Sequence, residues 1–296
     1  MSSPKPSFTD YLHLHFLVMI WGFTAILGKL ISPDLSRMAL TFFRTLLAAA
    51  GLLVVLWLRK EWKTVAPKER YQMLGVGVIM GVHWLTFFAS AHVSSASVCL
   101  AGMSTTALWT AVLEPIVAKR RMSALEIGLS LMVIVGLYII FRFEFDQALG
   151  LGLALLSAFL AAVFTIANSR FVKNHHALLI TFYEMNGGTL AMLIGLLGLS
   201  LTTGLSPKEI APQPMDWFWI GVLALVCTVY AYSAGIFLLR KISPFAFNLT
   251  VNMEPVYGIL LAYLILHERM TTGFYLGAGV ILLAVIAHPL LKNLRW

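Results

Sequence analysis

The chain has 296 residues, of which 59% are hydrophobic and 11% are charged. A soluble domain carries about 25% charged residues, so the composition excludes an ordinary soluble protein and predicts several membrane spans. The net charge of +8 would suit a nucleic-acid-binding protein, but the basic residues lie in short connectors between apolar runs. That distribution sets membrane orientation, and we expect no nucleic-acid partner.

Ten apolar runs follow one another along the chain, each close to the roughly 20 residues that a helix needs to cross a bilayer. The sequence therefore predicts an all-α integral membrane protein with ten transmembrane helices, called spans 1 to 10. The first run is too long for a typical signal peptide and lacks an obvious cleavage site, which predicts a retained span. The ten runs are residues 11–31, 37–58, 71–92, 97–118, 124–142, 149–169, 177–200, 216–239, 245–267 and 273–291.

The basic residues predict the orientation of these spans. With the N-terminus in the cytoplasm, fifteen of the 21 lysines and arginines fall on the inside, four on the outside and two within spans. Positive charge accumulates on the cytoplasmic side of membrane proteins. The sequence therefore predicts a multi-pass membrane protein with both termini in the cytoplasm. The expected location is a bacterial cytoplasmic membrane.

Related motifs recur in the same order in the two halves of the chain. Residues 41–44 in span 2 (Thr-Phe-Phe-Arg) recur at residues 181–184 in span 7 (Thr-Phe-Tyr-Glu), an offset of 140. The end of span 4, at residues 119–123, corresponds to the end of span 9 at residues 267–271, an offset of 148. Internal repeats of hydrophobic helices are typical of membrane transporters.

The repeat also predicts an inversion. Each half contains five spans, an odd number, so the second half enters the membrane from the opposite side. We therefore predict two inverted five-helix repeats, at residues 1–143 and 144–296. Such repeats give a carrier two alternating faces. In the register of 148 residues, Glu254 corresponds to Thr106.

Several short motifs occur in a characteristic order along the spans. They are Trp21-Gly22, Arg44, residues 91–96 (Ala-His-Val-Ser-Ser-Ala), residues 253–256 (Met-Glu-Pro-Val) and residues 267–270 (His-Glu-Arg-Met). Through these motifs the chain resembles, over nearly its full length, the EamA-type transporters of the drug/metabolite transporter superfamily. The resemblance implies two five-helix halves around a central cavity that moves small metabolites or drugs.

Three charged residues within predicted spans are candidates for the transport pathway. Arg44 and Glu184 are each eight residues into their spans from opposite sides, so their depths differ by roughly 10 Å. A direct ion pair between them needs tilt or snorkelling, and each is equally well explained by pairing with a local polar group. Glu254 lies near the midplane, and Pro255 after it lacks an N–H and loosens the helix. A binding or proton site is favoured there over structural hydrogen bonding.

Histidine and aromatic residues within the spans form a second group of candidates. His83 is explained equally well as a pathway residue and as a neutral histidine bonded to a helix carbonyl. Trp84 corresponds to Tyr230 at an offset of 146. The aromatic residues within the spans either line an amphipathic cavity or pack against lipid and neighbouring helices. The predicted substrate-binding and pathway residues are Trp21, Arg44, His83, Trp84, Phe87, Tyr183, Glu184, Tyr230, Asn252 and Glu254.

An intramembrane enzyme and a channel are the rival interpretations. The segment 267–271 begins like a zinc-protease motif but ends in threonine where H-E-x-x-H requires histidine, and no cluster has convincing metal spacing. We therefore predict no catalytic residue, cofactor or metal. The sparse, scattered polar residues favour an occludable site over a continuous pore, and no P-loop is present, so ATP is not the direct energy source.

These observations together predict a secondary-active carrier that works by alternating access. Its expected cargo is a small-molecule substrate, with export of amino acids or related amphipathic solutes preferred and another metabolite or drug class as the alternative. Coupled protons are a further hypothesis, carried by Glu254 or Glu184, since a partly desolvated carboxylate can titrate near neutral pH. The expected partners are the lipid bilayer and, if the protein is not a monomer, a second copy in a homodimer.

Overall fold

The computed structural model describes residues 6–119, 121–143, 147–267 and 269–293, which form helices and short connectors without a β-strand among them. Two residues of the span-end motifs, Arg120 and Glu268, and the start of the predicted second repeat at residue 144 lie outside the described residues. The helices are α1 (Phe8–Gly22), α2 (Thr24–Leu30), α3 (Arg37–Leu58), α4 (Pro67–Val93), α5 (Ala96–Met103), α6 (Thr106–Ala118), α7 (Ala124–Phe143), α8 (Ala148–Phe171), α9 (Ala177–Thr203), α10 (Pro207–Ile210), α11 (Pro214–Ala224), a π-helix (Leu225–Tyr230), α12 (Ala231–Leu238), α13 (Pro244–Val251), α14 (Glu254–Leu266) and α15 (Thr272–Asn293).

Eight helical segments are long and apolar enough to cross a membrane, and they coincide with predicted spans 1 to 4 and 6 to 9. Helices α7 and α15 occupy the positions of spans 5 and 10 and pack against each other. Within the described residues, their apolar stretches are shorter, at Ala124–Gly136 and Thr272–Ala284. The all-helical, multi-pass membrane fold is therefore confirmed, and the count of ten spans stays a prediction.

Several of the segments that span the membrane are interrupted near their middle. Span 4 is divided into α5 and α6 by Ser104 and Thr105, whose hydroxyls donate to the carbonyls of Ala101 and Gly102 at 2.6 and 2.8 Å. Such local bonds from serine and threonine compete with regular helix geometry. Span 9 is divided into α13 and α14 at residues 252–253, just before Pro255, and Pro is well tolerated in the first turn of a helix.

A very close contact between the two halves of the chain joins α4 to α9. A Cβ atom on Gly77 would collide with the carbonyl of Glu184, and one on Gly187 would collide with the carbonyl of Leu74. Small residues of this kind let helix backbones approach closely in a membrane, where there is little hydrophobic force between helices. The backbone around Glu184 is therefore held directly against the first half of the chain.

Candidate functional site

A central cavity lies among helices from both halves of the chain. Six of the ten predicted pathway residues line it, namely Trp21, Arg44, His83, Trp84, Phe87 and Glu254. The cavity is bordered by α1 to α6 on one side and by α8, α12, α13 and α14 on the other. The remaining lining residues are Thr24, Met103, Thr106, Ala161, Phe164, Thr165, Asn168, Tyr232, Gly235, Ile236, Leu239, Phe247, Asn248 and Val251.

Arg44 supplies the positive charge of the cavity, although only 2% of its surface is exposed. Its guanidinium carbon lies 3.6 Å from the centre of the Trp84 ring, a distance at which cation–π attraction operates. Its Nε donates to Thr228 Oγ1 at 3.1 Å. Arg44 is therefore held by an indole face and a hydroxyl, and among the described residues no carboxylate pairs with it.

Thr228, the acceptor of this bond, lies in the π-helix. Thr228 Oγ1 donates to the carbonyl of Leu223, five residues earlier, at 2.8 Å, so its lone pairs are free for Arg44. In the same turn, the carbonyl of Cys227 accepts a bond from the indole N–H of Trp21 at 3.3 Å. Single π-helical turns occur frequently at functional sites, and this one orients two cavity residues.

Glu254 is an acidic residue of the cavity wall and begins α14, immediately after the interruption of span 9. It is 6% exposed and lines the cavity. Among the described residues no hydrogen bond or ion pair to its carboxylate is found. The helix N-terminus gives it partial electrostatic support, but a carboxylate in a membrane interior without a cation is costly.

His83 is locked by a neighbouring helix. Its Nδ1 lies 2.8 Å from both the carbonyl and the hydroxyl oxygen of Ser157, and that hydroxyl donates to the His83 carbonyl at 2.9 Å. Because a carbonyl oxygen only accepts, Nδ1 carries a proton. This arrangement agrees with the interpretation of His83 as a histidine bonded to a helix carbonyl. The ring also lines the cavity, and its centre lies 5.2 Å from the centre of the Phe164 ring.

Glu184 lies behind the cavity wall and has no exposed surface. Its Oε2 accepts bonds from the Tyr232 hydroxyl at 2.9 Å and from Asn168 Nδ2 at 3.4 Å. Both partners line the cavity, and Glu184 does not. As the depth argument indicates, no ion pair to Arg44 is present between these described residues.

Three predicted pathway residues lie away from the cavity. Tyr183 is half-buried on α9. Tyr230 is 44% exposed and its hydroxyl lies 3.1 Å from His13 Nε2. Asn252 is buried and lines two other pockets, and neither polar atom of its amide has a partner among the described residues.

The aromatic residue of span 8 that faces the cavity is Tyr232, whereas the predicted Tyr230, at an offset of 146 from Trp84, does not line it. The π-helix ends at Tyr230 and changes the angular register of the residues after it. Tyr232 packs against Trp84 with ring centres 6.0 Å apart. The offset of 148 residues that relates spans 4 and 9 matches Trp84 with Tyr232. This offset was the sequence signal that could have identified Tyr232 as a cavity residue.

A second pocket adjoins the cavity at the end predicted to be cytoplasmic. Leu239 lines both spaces. Four basic residues surround the second pocket, at Arg170, Lys173, Arg240 and Lys241. Two of them join helix ends, because Arg170 donates to the carbonyl of Val117 at 2.6 Å and Lys241 pairs with Asp10 at 2.9 Å.

Interrupted helices that meet around a cavity with buried charges are the architecture of membrane transporters. The chain belongs to the EamA-like transporter family, whose model matches residues 11–142 and 148–287. This family is part of the drug/metabolite transporter superfamily, so the resemblance is confirmed and the protein is a membrane transporter of small solutes.

Two relatives and one solved structure agree with this assignment. An uncharacterized transporter of Archaeoglobus fulgidus is 22% identical over 282 residues, covering 93% of this chain and 96% of the relative. An uncharacterized transporter of Synechocystis sp. is 27% identical over 157 residues, which are 51% of this chain and only 42% of that relative. A protein crystal structure aligns over 96% of this chain and 98% of its own with a TM-score of 0.70 at 14% identity, which shows a shared fold.

Proposed function

We propose that this transporter is a secondary-active exporter of amino acids with apolar or aromatic side chains, or of closely related amphipathic solutes. The observation that carries the proposal is that Arg44 and Glu254 both line one cavity that also contains several aromatic side chains, and that Glu254 has no partner among the described residues. A zwitterion carries the complementary pair of charges. Its binding supplies the counter-charge that Glu254 lacks.

Each part of the cavity has a role in this proposal. The guanidinium of Arg44 binds the substrate carboxylate, which charge-assisted hydrogen bonds favour. The carboxylate of Glu254 binds the ammonium group. Trp21, Phe164 and Phe247 line the same space and bind the apolar side chain, because aromatic faces accommodate apolar groups and cations alike.

Alternating access follows in this proposal from two inverted halves of five helices each, at residues 1–143 and 144–296, with both termini in the cytoplasm. Matching helices support it: α3 and α9 begin 140 residues apart, and α7 and α15 begin 148 residues apart. The pocket with four basic residues, which shares Leu239 with the cavity, is on the side predicted to be cytoplasmic, and in this proposal it is the entrance for export. Solute enters from the cytoplasmic side, and a proton gradient drives the cycle.

A cationic amphipathic drug is the second candidate substrate. The aromatic lining and the unpaired Glu254 favour a cation, because aromatic faces attract cations. The buried guanidinium of Arg44 in the same wall repels a cation that has no carboxylate. We therefore rank the zwitterion first.

Three compounds that share one ring test this choice. The purified protein is reconstituted in liposomes, and counterflow is measured for L-phenylalanine, phenethylamine (which lacks the carboxylate) and 3-phenylpropionate (which lacks the ammonium), with protein-free liposomes as the control. We expect saturable counterflow for phenylalanine and little for the other two. Preference for phenethylamine would support the cationic class, and flux that does not saturate would contradict a carrier.

A further inference from the structure

Glu184 is buried more completely than any other carboxylate in the described parts of the chain, with no exposed surface. Its Oε2 accepts two hydrogen bonds, whereas its Oε1 has no partner among the described residues. The neighbouring Oδ1 of Asn168 also lacks a partner. An ionised carboxylate buried in a membrane interior is costly unless a cation accompanies it.

The helices packed against Glu184 provide no such cation. From α12, Tyr232 contacts the carboxylate through its hydroxyl. From α3, Arg44 is stacked on Trp84 and bonded to Thr228. From α4, the backbone at Gly77 meets the carbonyl of Glu184, and His83 on that helix is bonded to Ser157. On α8 the contacting residue is the uncharged Asn168.

The carboxylate is nevertheless connected to the cavity through its two bonding partners. Tyr232 and Asn168 both line the cavity, and Tyr232 packs against the indole that carries Arg44. Asn168 also donates to the Tyr232 hydroxyl at 3.0 Å, so the three side chains form one network. A proton on Glu184 adds a donor to this network, and its loss leaves an acceptor with a negative charge.

We propose that Glu184 is the coupling-proton site of this carrier, separate from the substrate-contacting Glu254, and that Tyr232 and Asn168 transmit its protonation to the cavity. A carboxylate oxygen of Glu184 takes a proton from water on one side of the membrane and returns it to water on the other. The O–H bond that forms is the one that breaks, and no further reactant is needed. This assignment rests on the proposed function.

A pair of glutamine variants separates the two roles in liposomes. Glu184→Gln keeps phenylalanine counterflow, which needs no net proton movement, but loses accumulation driven by a pH gradient. For a coupling of one proton, a gradient of one pH unit supports about tenfold accumulation in the wild type, and the variant is expected at a ratio near one. Glu254→Gln weakens both activities, because it lowers the affinity for the substrate. Accumulation by Glu184→Gln, or loss of its counterflow in a folded protein, overturns the assignment.

Infrared spectroscopy provides a test that needs no substrate, so failure of the proposed function remains distinguishable from failure of this inference. In pH-difference spectra of the full-length protein, Glu184→Gln removes one component of the protonated carboxyl C=O band. Tyr232→Phe shifts that component, because the hydroxyl bonded to the carboxyl is lost while the ring remains. Spectra of Glu184→Gln identical to those of the wild type overturn the inference. Wild-type protein without phenylalanine counterflow contradicts only the proposed substrate.

Discussion

The interrupted helices α5–α6 and α13–α14 have matching backbones and different chemistry. Helices α5 and α13 both contain eight residues, α6 and α14 both contain thirteen, and each pair is offset by 148 positions. Both segments end in a left-handed residue, Lys119 with φ of 52° and His267 with φ of 55°. The interruption is thus a shared element of the scaffold, and the side chains beside it have diverged.

The side chain at the start of the second helix shows this divergence. Thr106 begins α6, and its hydroxyl donates to the carbonyl of Met103 at 2.7 Å. The hydrogen-bond donor of Thr106 therefore has a partner within its own turn. Glu254 begins α14 and has no partner among the described residues. The acid of the first segment, Glu114, lies two turns further on, where its Oε2 accepts a bond from the Phe245 N–H at 3.0 Å. One acid faces the cavity, and the other caps α13.

The largest effect is expected for Glu254→Gln. The substitution keeps the shape of the side chain and removes the charge that we assign to the substrate ammonium. A hydrogen bond to a charged group contributes about 1.5–3 kcal/mol, so the affinity for phenylalanine should fall about 10- to 100-fold. Substrate-dependent thermal stabilisation and counterflow at several concentrations both measure it.

Glu114→Gln is the matched control for this experiment, because it makes the same chemical change in the other interrupted helix. Glutamine retains an oxygen that can accept from the Phe245 N–H. Substitutions that remove no buried contact change the free energy by about 0.5 kcal/mol or less, so the affinity for phenylalanine should stay within about twofold of the wild type. Equal losses in the two variants would contradict the division of roles between the acids.

The second effect concerns Gly258 in α14, whose counterpart in α6 is Thr110. A Cβ atom on Gly258 would lie 2.9 Å from the carbonyl of Gly22 and would collide with the Leu100 side chain. Overpacking of this kind costs about 1–3 kcal/mol. Gly258→Ala should therefore lower the thermal unfolding midpoint of the purified protein.

Gly279→Ala in α15 is the control for Gly258→Ala, because nothing lies within 4 Å of a Cβ added there. It should leave the midpoint unchanged or raise it, since alanine favours helix by up to about 1 kcal/mol over glycine. If both variants have the same unfolding midpoint, the close contact of α14 with α1 and α5 does not require glycine at position 258, and the prediction is wrong.

The sequence predicted the membrane fold well, because apolar runs and basic connectors follow directly from the cost of placing charge in lipid. The same cost identified Arg44 and Glu254, which both line the cavity. In span 8 the aromatic residue that lines the cavity is Tyr232 and not the predicted Tyr230, and the two residues lie on either side of the end of the π-helix. The link from Thr228 to Arg44 depends on that same turn and has no signature in a single sequence.

The polar partners of individual residues depend on tertiary contacts. His83 has its helix carbonyl, but that carbonyl belongs to Ser157, 74 residues away. Glu184 bonds to residues 16 and 48 positions away in the chain. Span depth limits which charges can meet, whereas the identity of a polar partner across a helix contact depends on rotations that hydrophobicity does not specify. The pathway roles of all ten predicted residues stay predictions.

The smallest effect is expected for Glu114→Ala, which tests whether the acid in α6 is structural. The substitution removes the acceptor for the Phe245 N–H at the start of α13, and loss of a cap costs about 1 kcal/mol. The unfolding midpoint should fall slightly, Glu114→Gln should recover most of it, and counterflow at saturating phenylalanine should persist in both. A loss of transport without a loss of stability would show that Glu114 is a second acid required for transport. The two interrupted helices would then share chemistry as well as backbone.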